Sequence, residues 1–138
     1  MSNERPYAHV LERLRNANLR PTRQRLALAR LLFEPAHQHV TAEGLHEKAQ
    51  GANIRVSLAT VYNTLNQFTE AGLLREIVVA SGRSYFDTNV SDHHHFFHEV
   101  SGQLEDIPAG DVVVAEVPPP PDGTRIRRVE VIVRLLGE

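Results

Sequence analysis

Positions 93 to 98 read His-His-His-Phe-Phe-His, four imidazoles in six residues of a protein with no cysteine. Imidazole is the commonest metal ligand and the one side chain whose ordinary charge changes near neutral pH. With Asp92 and Glu99 on either side, the cluster predicts ligation of a cation. A solvent-facing histidine run or an added tag would use the same residues. This run, however, is internal and contains an apolar pair suited to a core. If the segment is a strand, alternation puts His93 and His95 on one face and His94 and His98 on the other. His98 reads as a strand histidine hydrogen-bonded at the surface.

The elements that must hold these residues divide the chain in two. Residues 1–83 carry 11 Lys and Arg against 7 Asp and Glu, and residues 84–138 carry 4 against 10. The overall charge of −2 therefore conceals a basic half joined to an acidic, histidine-rich half. That split fits a nucleic-acid module attached to a cation-sensing one. At 138 residues and 41% hydrophobic, the chain suits one ordinary domain or two small ones. No apolar run approaches the roughly 20 residues of a bilayer span. Residues 1–6 lack a signal-peptide pattern, and the missing cysteines exclude disulfides and thiolate ligands, so a cytoplasmic location is expected.

Apolar Val10, Leu11, Leu14 and Ala17 recur at helical spacing over 7–19. Pro21 interrupts, and Thr22 is the predicted N-cap of a helix reaching about Phe33. Cationic Arg23 and Arg25 in its first turn oppose the helix dipole and are expected to face an anion such as phosphate. A third helix is expected from a Thr41 cap, with Glu43 in its first turn, to about Gly51. A fourth opens at Ser57 and ends at Gly72, burying Leu58, Val61, Leu65, Phe68 and Ala71. Thr60, Asn63, Thr64 and Gln67 are expected on its open face, with Tyr62 at the edge of the stripe. That short-chained, hydrogen-bonding surface suits a DNA major groove.

Strand-like runs at 73–79 and 83–88, around a turn at 80–82, complete a winged helix-turn-helix. A generic helical core with a hairpin would share these elements. Strands are expected next at 94–100, 103–107 and 125–136, the last with Val129, Val131, Val133 and Leu135 on one face. Before it lie four prolines, 118–121, that forbid helix and favour a stiff linker. The predicted architecture is α+β: a winged-helix DNA-binding domain at 1–88 and a small sensing domain at 89–138. The second would bury its apolar face against another copy.

In order along the chain, Leu19-Arg20-Pro21-Thr22-Arg23-Gln24-Arg25, His39-Val40-Thr41-Ala42-Glu43, Ser57-Leu58-Ala59-Thr60-Val61-Tyr62-Asn63-Thr64-Leu65 and Tyr85-Phe86-Asp87 resemble the ferric uptake regulator superfamily. Ser91-Asp92-His93-His94-His95-Phe96-Phe97 further resembles the iron response regulators of alphaproteobacteria. The resemblance implies a homodimeric DNA-binding transcription regulator, mainly a repressor, of iron and haem homeostasis. It implies a winged helix followed by a C-terminal α/β dimerisation domain. Operator binding would be controlled by metal occupancy and lost on haem binding, with a haem-delivering protein as a further partner.

The resemblance also assigns residues. A divalent ion (Zn, Mn or Fe(II)) would be held by His39, Asp87, His93, His95 and Asp106, with Glu105 the alternative to Asp106. Haem iron would take His93, His94 or His95. Imidazoles with carboxylates suit such ions on chemical grounds too. An ion joining His39 and Asp87 to the later ligands would fix the angle between the halves, and haem would compete for it. Arg20, Arg23 and Arg25 are expected on phosphates and Arg15 in a minor groove, with Ser57, Thr60, Tyr62 and Asn63 on the DNA-facing helix. That helix carries few charges, which predicts shape readout of an A/T-rich operator.

Departures from the family are as specific as the matches. His98-Glu99-Val100-Ser101 stands where many relatives place Cys-x-x-Cys, so the four-cysteine zinc site cannot form. The N-terminal Cys-Pro haem motif and the late metal-binding histidine are also missing. The alternative reading is a zinc-, manganese- or peroxide-responsive regulator without haem sensing. A hydrolytic enzyme would need an open metal position and a substrate cleft, and would leave the wing and its helix unexplained.

Overall fold

In the computed structural model, which describes residues 8–80 and 82–137, four helices occupy the N-terminal part. They are α1 (Ala8–Asn16), α2 (Arg23–Phe33), α3 (Ala42–Gly51) and α4 (Leu58–Glu70). Thr22, Thr41 and Ser57 are extended, and each side-chain oxygen accepts the amide three residues on, at 3.2, 3.0 and 3.1 Å. These are the orphan donors that an N-cap satisfies.

Helices α1, α3 and α4 also stop in one way. Asn18, Asn53 and Gly72 take φ of 60°, 59° and 83°. The next residues, Leu19, Ile54 and Leu73, then donate back to the carbonyls of Leu14, Ala49 and Phe68. Those three side chains pack on the core, so each stop is also a hydrophobic contact.

The core joins Val10 and Leu14 of α1, Leu28 and Leu32 of α2, Leu45 of α3 and Val61, Leu65 and Phe68 of α4, all fully buried. Phe33 lies 6.1 Å from Phe68, ring centre to ring centre. Thr64 corrects the expectation for α4. It is buried rather than on the open face, because it follows Val61 by three residues and so shares its side of the helix.

Two sheets complete the fold. The first is antiparallel, ordered β1-β3-β2, from β1 (His39–Val40), β2 (Arg75–Ala80) and β3 (Arg83–Asp87). The wing hairpin thus gains a third strand. At two residues, β1 is too short to show a period.

The second sheet is ordered β5-β4-β6, from β4 (His94–His98), β5 (Leu104–Ile107) and β6 (Ile132–Leu135), with β4 antiparallel to β5 and parallel to β6. The strand expected at 125–136 is cut to four residues. The register pairs of this parallel ladder run from His95↔Ile132 to His98↔Leu135.

Residues 108–131 carry no regular element, so the helices lie in the N-terminal part of this α+β winged-helix architecture. The chain divides into two compact units between Val90 and Ser91, two residues past the expected boundary. No described helix is long and apolar enough to cross a membrane. The readings at residues 1–7, at Ser81 in the hairpin turn and at Glu138 lie outside the described residues.

Candidate functional site

The C-terminal unit brings three of the expected ligands together. His95 is the register partner of Asp106 across β4 and β5, and directly paired side chains share a face. Asp106 Oδ1 lies 3.1 Å from His93 Nε2 and 3.2 Å from His95 Nε2. The imidazole rings are 4.5 Å apart, and both are buried. Glu105, one residue earlier, faces the other way, with Oε1 3.2 Å from His98 Nε2. Strand alternation therefore separates the two carboxylates, and Asp106 is the one beside His93 and His95.

Hydrogen bonds then set the tautomers. His93 Nδ1 is 2.7 Å from the Ser91 carbonyl. A carbonyl only accepts, so Nδ1 carries the proton and neutral His93 presents a lone pair at Nε2. That lone pair meets a carboxylate oxygen, and two acceptors at 3.1 Å need a cation or an added proton between them. An Nδ1–H bonded to a backbone carbonyl is also how ligating histidines are commonly oriented. Two atoms each about 2.1 Å from one zinc sit roughly 3.4 Å apart at the tetrahedral angle, so the donor spacing is close to what an ion would require. His94 is the reverse case. Its Nδ1 accepts the Val131 amide at 3.0 Å, which puts the proton of a neutral ring on Nε2.

The N-terminal unit holds a second pair. His39 Nε2 is 3.1 Å from Asp87 Oδ2, and Asp87 is 1% exposed. The pairing follows from the His39↔Asp87 register of β1 and β3. The other Asp87 oxygen accepts the Asn89 amide at 2.9 Å. Across the sheet Asp87 is also in register with Arg75, itself buried. The sequence reading passed over Arg75, whose signal was a cation at an inward position of an alternating run.

Gln38 was passed over as well. Its side-chain amide donates to the carbonyls of Leu31 and Leu32 at 2.9 and 3.0 Å and accepts Lys48 Nζ at 2.7 Å. Its backbone amide donates to Thr88 Oγ1 at 3.0 Å. The residue before His39 is thereby fastened to α2, α3 and the end of β3.

The DNA-facing residues fall into two kinds. Arg15, Arg20, Arg23 and Asn63 are exposed. Arg15 is in the last turn of α1, where a cation also suits the helix dipole. Arg25 is braced instead: Nε and Nη2 donate to Gln67 Oε1 at 3.3 and 3.0 Å, and Nη1 to the Arg20 carbonyl at 3.0 Å. It ties α2 to α4. Ser57 Oγ caps α4 and donates to Thr60 Oγ1 at 3.0 Å. Tyr62 projects from α4, 40% exposed, and donates to Glu43 Oε1 at 2.7 Å.

Residues 16–116 match the Ferric uptake regulator family (FUR). The Peroxide-responsive repressor PerR of Staphylococcus epidermidis is 34% identical over 93 residues, covering 67% of this chain and 61% of the relative. The chain thus spans less than two thirds of that relative's length. The Vibrio cholerae ferric uptake regulator superposes with a TM-score of 0.71 at 23% identity, covering 92% of this chain and 98% of that one. The ferric uptake regulator of Pseudomonas aeruginosa, solved with manganese, gives 0.68 at 21%, covering 92% and 96%. At such identities the structural likeness establishes the fold.

Proposed function

The chain belongs to the ferric uptake regulator family, and from that premise we propose that it is a homodimeric transcription regulator whose grip on operator DNA depends on a divalent ion. Members of this family are regulators, not enzymes, so the histidine–carboxylate groups serve sensing. The observation that carries the reading is the grouping of His93 Nε2 and His95 Nε2 within 3.2 Å of one Asp106 oxygen, with His93 Nδ1 turned to the Ser91 carbonyl.

The C-terminal unit supplies three donors, His93, His95 and Asp106, and the N-terminal unit two, His39 and Asp87. Neither set alone makes the four protein ligands of a closed zinc site. We propose that both sets serve one ion, zinc, manganese or iron(II), so that its binding restrains the DNA-binding unit against the sensing unit. The ion supplies the positive charge that holds these carboxylates and imidazoles together. Arg20 and Arg23 then neutralise phosphates, and Tyr62, Thr60 and Asn63 face the bases of an A/T-rich duplex.

Haem sensing, in the manner of the iron response regulators, is the finer branch of the proposal, and it rests on the histidine triplet. His93 and His95 would lend Nε2 to haem iron only by giving up the divalent ion. His94 would do so only after its ring proton leaves Nε2, which breaks the bond to Val131. Haem and the divalent ion are therefore antagonists, and a haem-delivering protein would shift the balance. The similarity to a peroxide-responsive repressor favours a second branch, release of DNA by peroxide without haem.

Operator binding by apo, manganese-loaded and haem-loaded protein tests the reading. Tight binding by the manganese form alone is expected, with a Soret band appearing as affinity falls on adding haem. Equal binding by apo and metal-loaded protein overturns the metal dependence. Release by hydrogen peroxide but not by haem selects the second branch.

A further inference from the structure

We infer that Glu43 is a positioning residue that decides what Tyr62 can read: by accepting the phenol proton, its carboxylate leaves the phenol oxygen able only to accept from a base. Tyr62 would then select major-groove amino donors, adenine N6 or cytosine N4, and disfavour guanine, whose edge there offers only acceptors. This inference rests on the DNA-binding reading above.

The geometry is local and held from both sides. Glu43 is the second residue of α3, whose start is fixed by the Thr41 cap on Gly44. A Cβ at position 44 would come within 3.1 Å of Thr41 Oγ1, so glycine lets the cap close. Tyr62 rises from α4, and its hydroxyl reaches Glu43 Oε1 at 2.7 Å. The two line one wall of a cleft of about 520 Å³, with Asn66 of α4 and Glu76, Arg83 and Tyr85 of the wing hairpin around it.

That hydrogen bond is the first cause that lowers the Glu43 carboxyl below its ordinary range and raises the Tyr62 phenol above its own. A carboxylate beside a DNA-facing helix opposes phosphate attraction, so its contribution there is to selectivity rather than to affinity.

The test uses full-length, manganese-loaded protein and the duplex that the wild type enriches from a randomised pool, against a scrambled duplex. Glu43→Ala should cut the affinity ratio between the two about tenfold, within the range of one good base contact, and leave scrambled binding equal or tighter. Tyr62→Phe should do the same, and the double variant should lose no more than either. Glu43→Gln, which keeps an acceptor, should retain most of the ratio.

Without DNA, Glu43→Ala should bring the Tyr62 titration down toward an ordinary phenol, a change that lost helix capping would not produce. Additive losses in the double variant, equal losses on both duplexes, or an unmoved titration overturn the inference. A wild type that enriches no sequence sinks the regulator reading and this inference with it. Selective wild-type binding with an equally selective Glu43→Ala variant sinks this inference alone.

Discussion

In His93 the ring proton faces the Ser91 carbonyl, and in His94 it is kept on Nε2 by the Val131 amide at Nδ1. Adjacent residues of one type thus have opposite ligand character, fixed by their different backbone partners. His93→Ala should lower divalent-metal affinity by one to two orders of magnitude, roughly the scale on which disturbed ligand shells act. His94→Ala should leave that affinity within about threefold and alter the haem titration instead. His39→Ala should weaken metal binding and leave the Soret band in place. Calorimetric titration with manganese and zinc, run beside haem spectra, checks all three. If His39→Ala binds metal as the wild type does, the ion is held by the C-terminal donors alone.

At the scale of elements, caps and stops do most of the positioning. Ser57 starts α4, and Thr41 starts α3 two residues after His39. The strand that bears His39, a proposed metal ligand, therefore runs straight into the helix that bears Glu43. Ser57→Ala should cost about 1 kcal/mol of stability, whereas Phe68→Ala, which empties the centre of the core, should cost about 3–5 kcal/mol. Urea unfolding followed by helical circular dichroism separates the two. Equal losses would mean that the cap does more than satisfy the Thr60 amide. Elements longer than eight residues were legible from their periodicity and end signals. The two-residue β1 and the shortened β6 were not, because a strand exists only where a partner supplies hydrogen bonds.

For the whole molecule, charge and exposed apolar surface set the expectations. The N-terminal half carries the basic excess, so DNA affinity should fall steeply with salt. Arg23→Ala should weaken enriched and random duplexes alike and flatten the slope of log affinity against log salt by about one unit per protomer. Arg25→Ala should act chiefly on the enriched duplex, since its guanidinium braces Gln67 on α4. In the C-terminal unit, Val100 and Leu136 are 83% and 79% exposed, next to a sheet whose outer strands are four residues long. A second copy covering that surface predicts a dimer in sedimentation at micromolar concentration. A monomer persisting to tens of micromolar, where even weak homodimers form, would overturn it.

Taken by itself, the sequence determined the winged helix and its three N-caps, and it nominated the candidate donors. Each of these is written in local spacing, composition or a short motif. The tertiary structure alone decided which carboxylate faces His93 and His95, because a shift of one residue turns a strand side chain to the other face. It alone paired Asp87 with both His39 and Arg75, since register joins residues 48 and 12 positions away. It also braced Arg25 against Gln67 and set Glu43 against Tyr62, 19 residues on. Hydrogen bonds between separate elements depend on where those elements pack, and neither a local pattern nor a residue type encodes that distance.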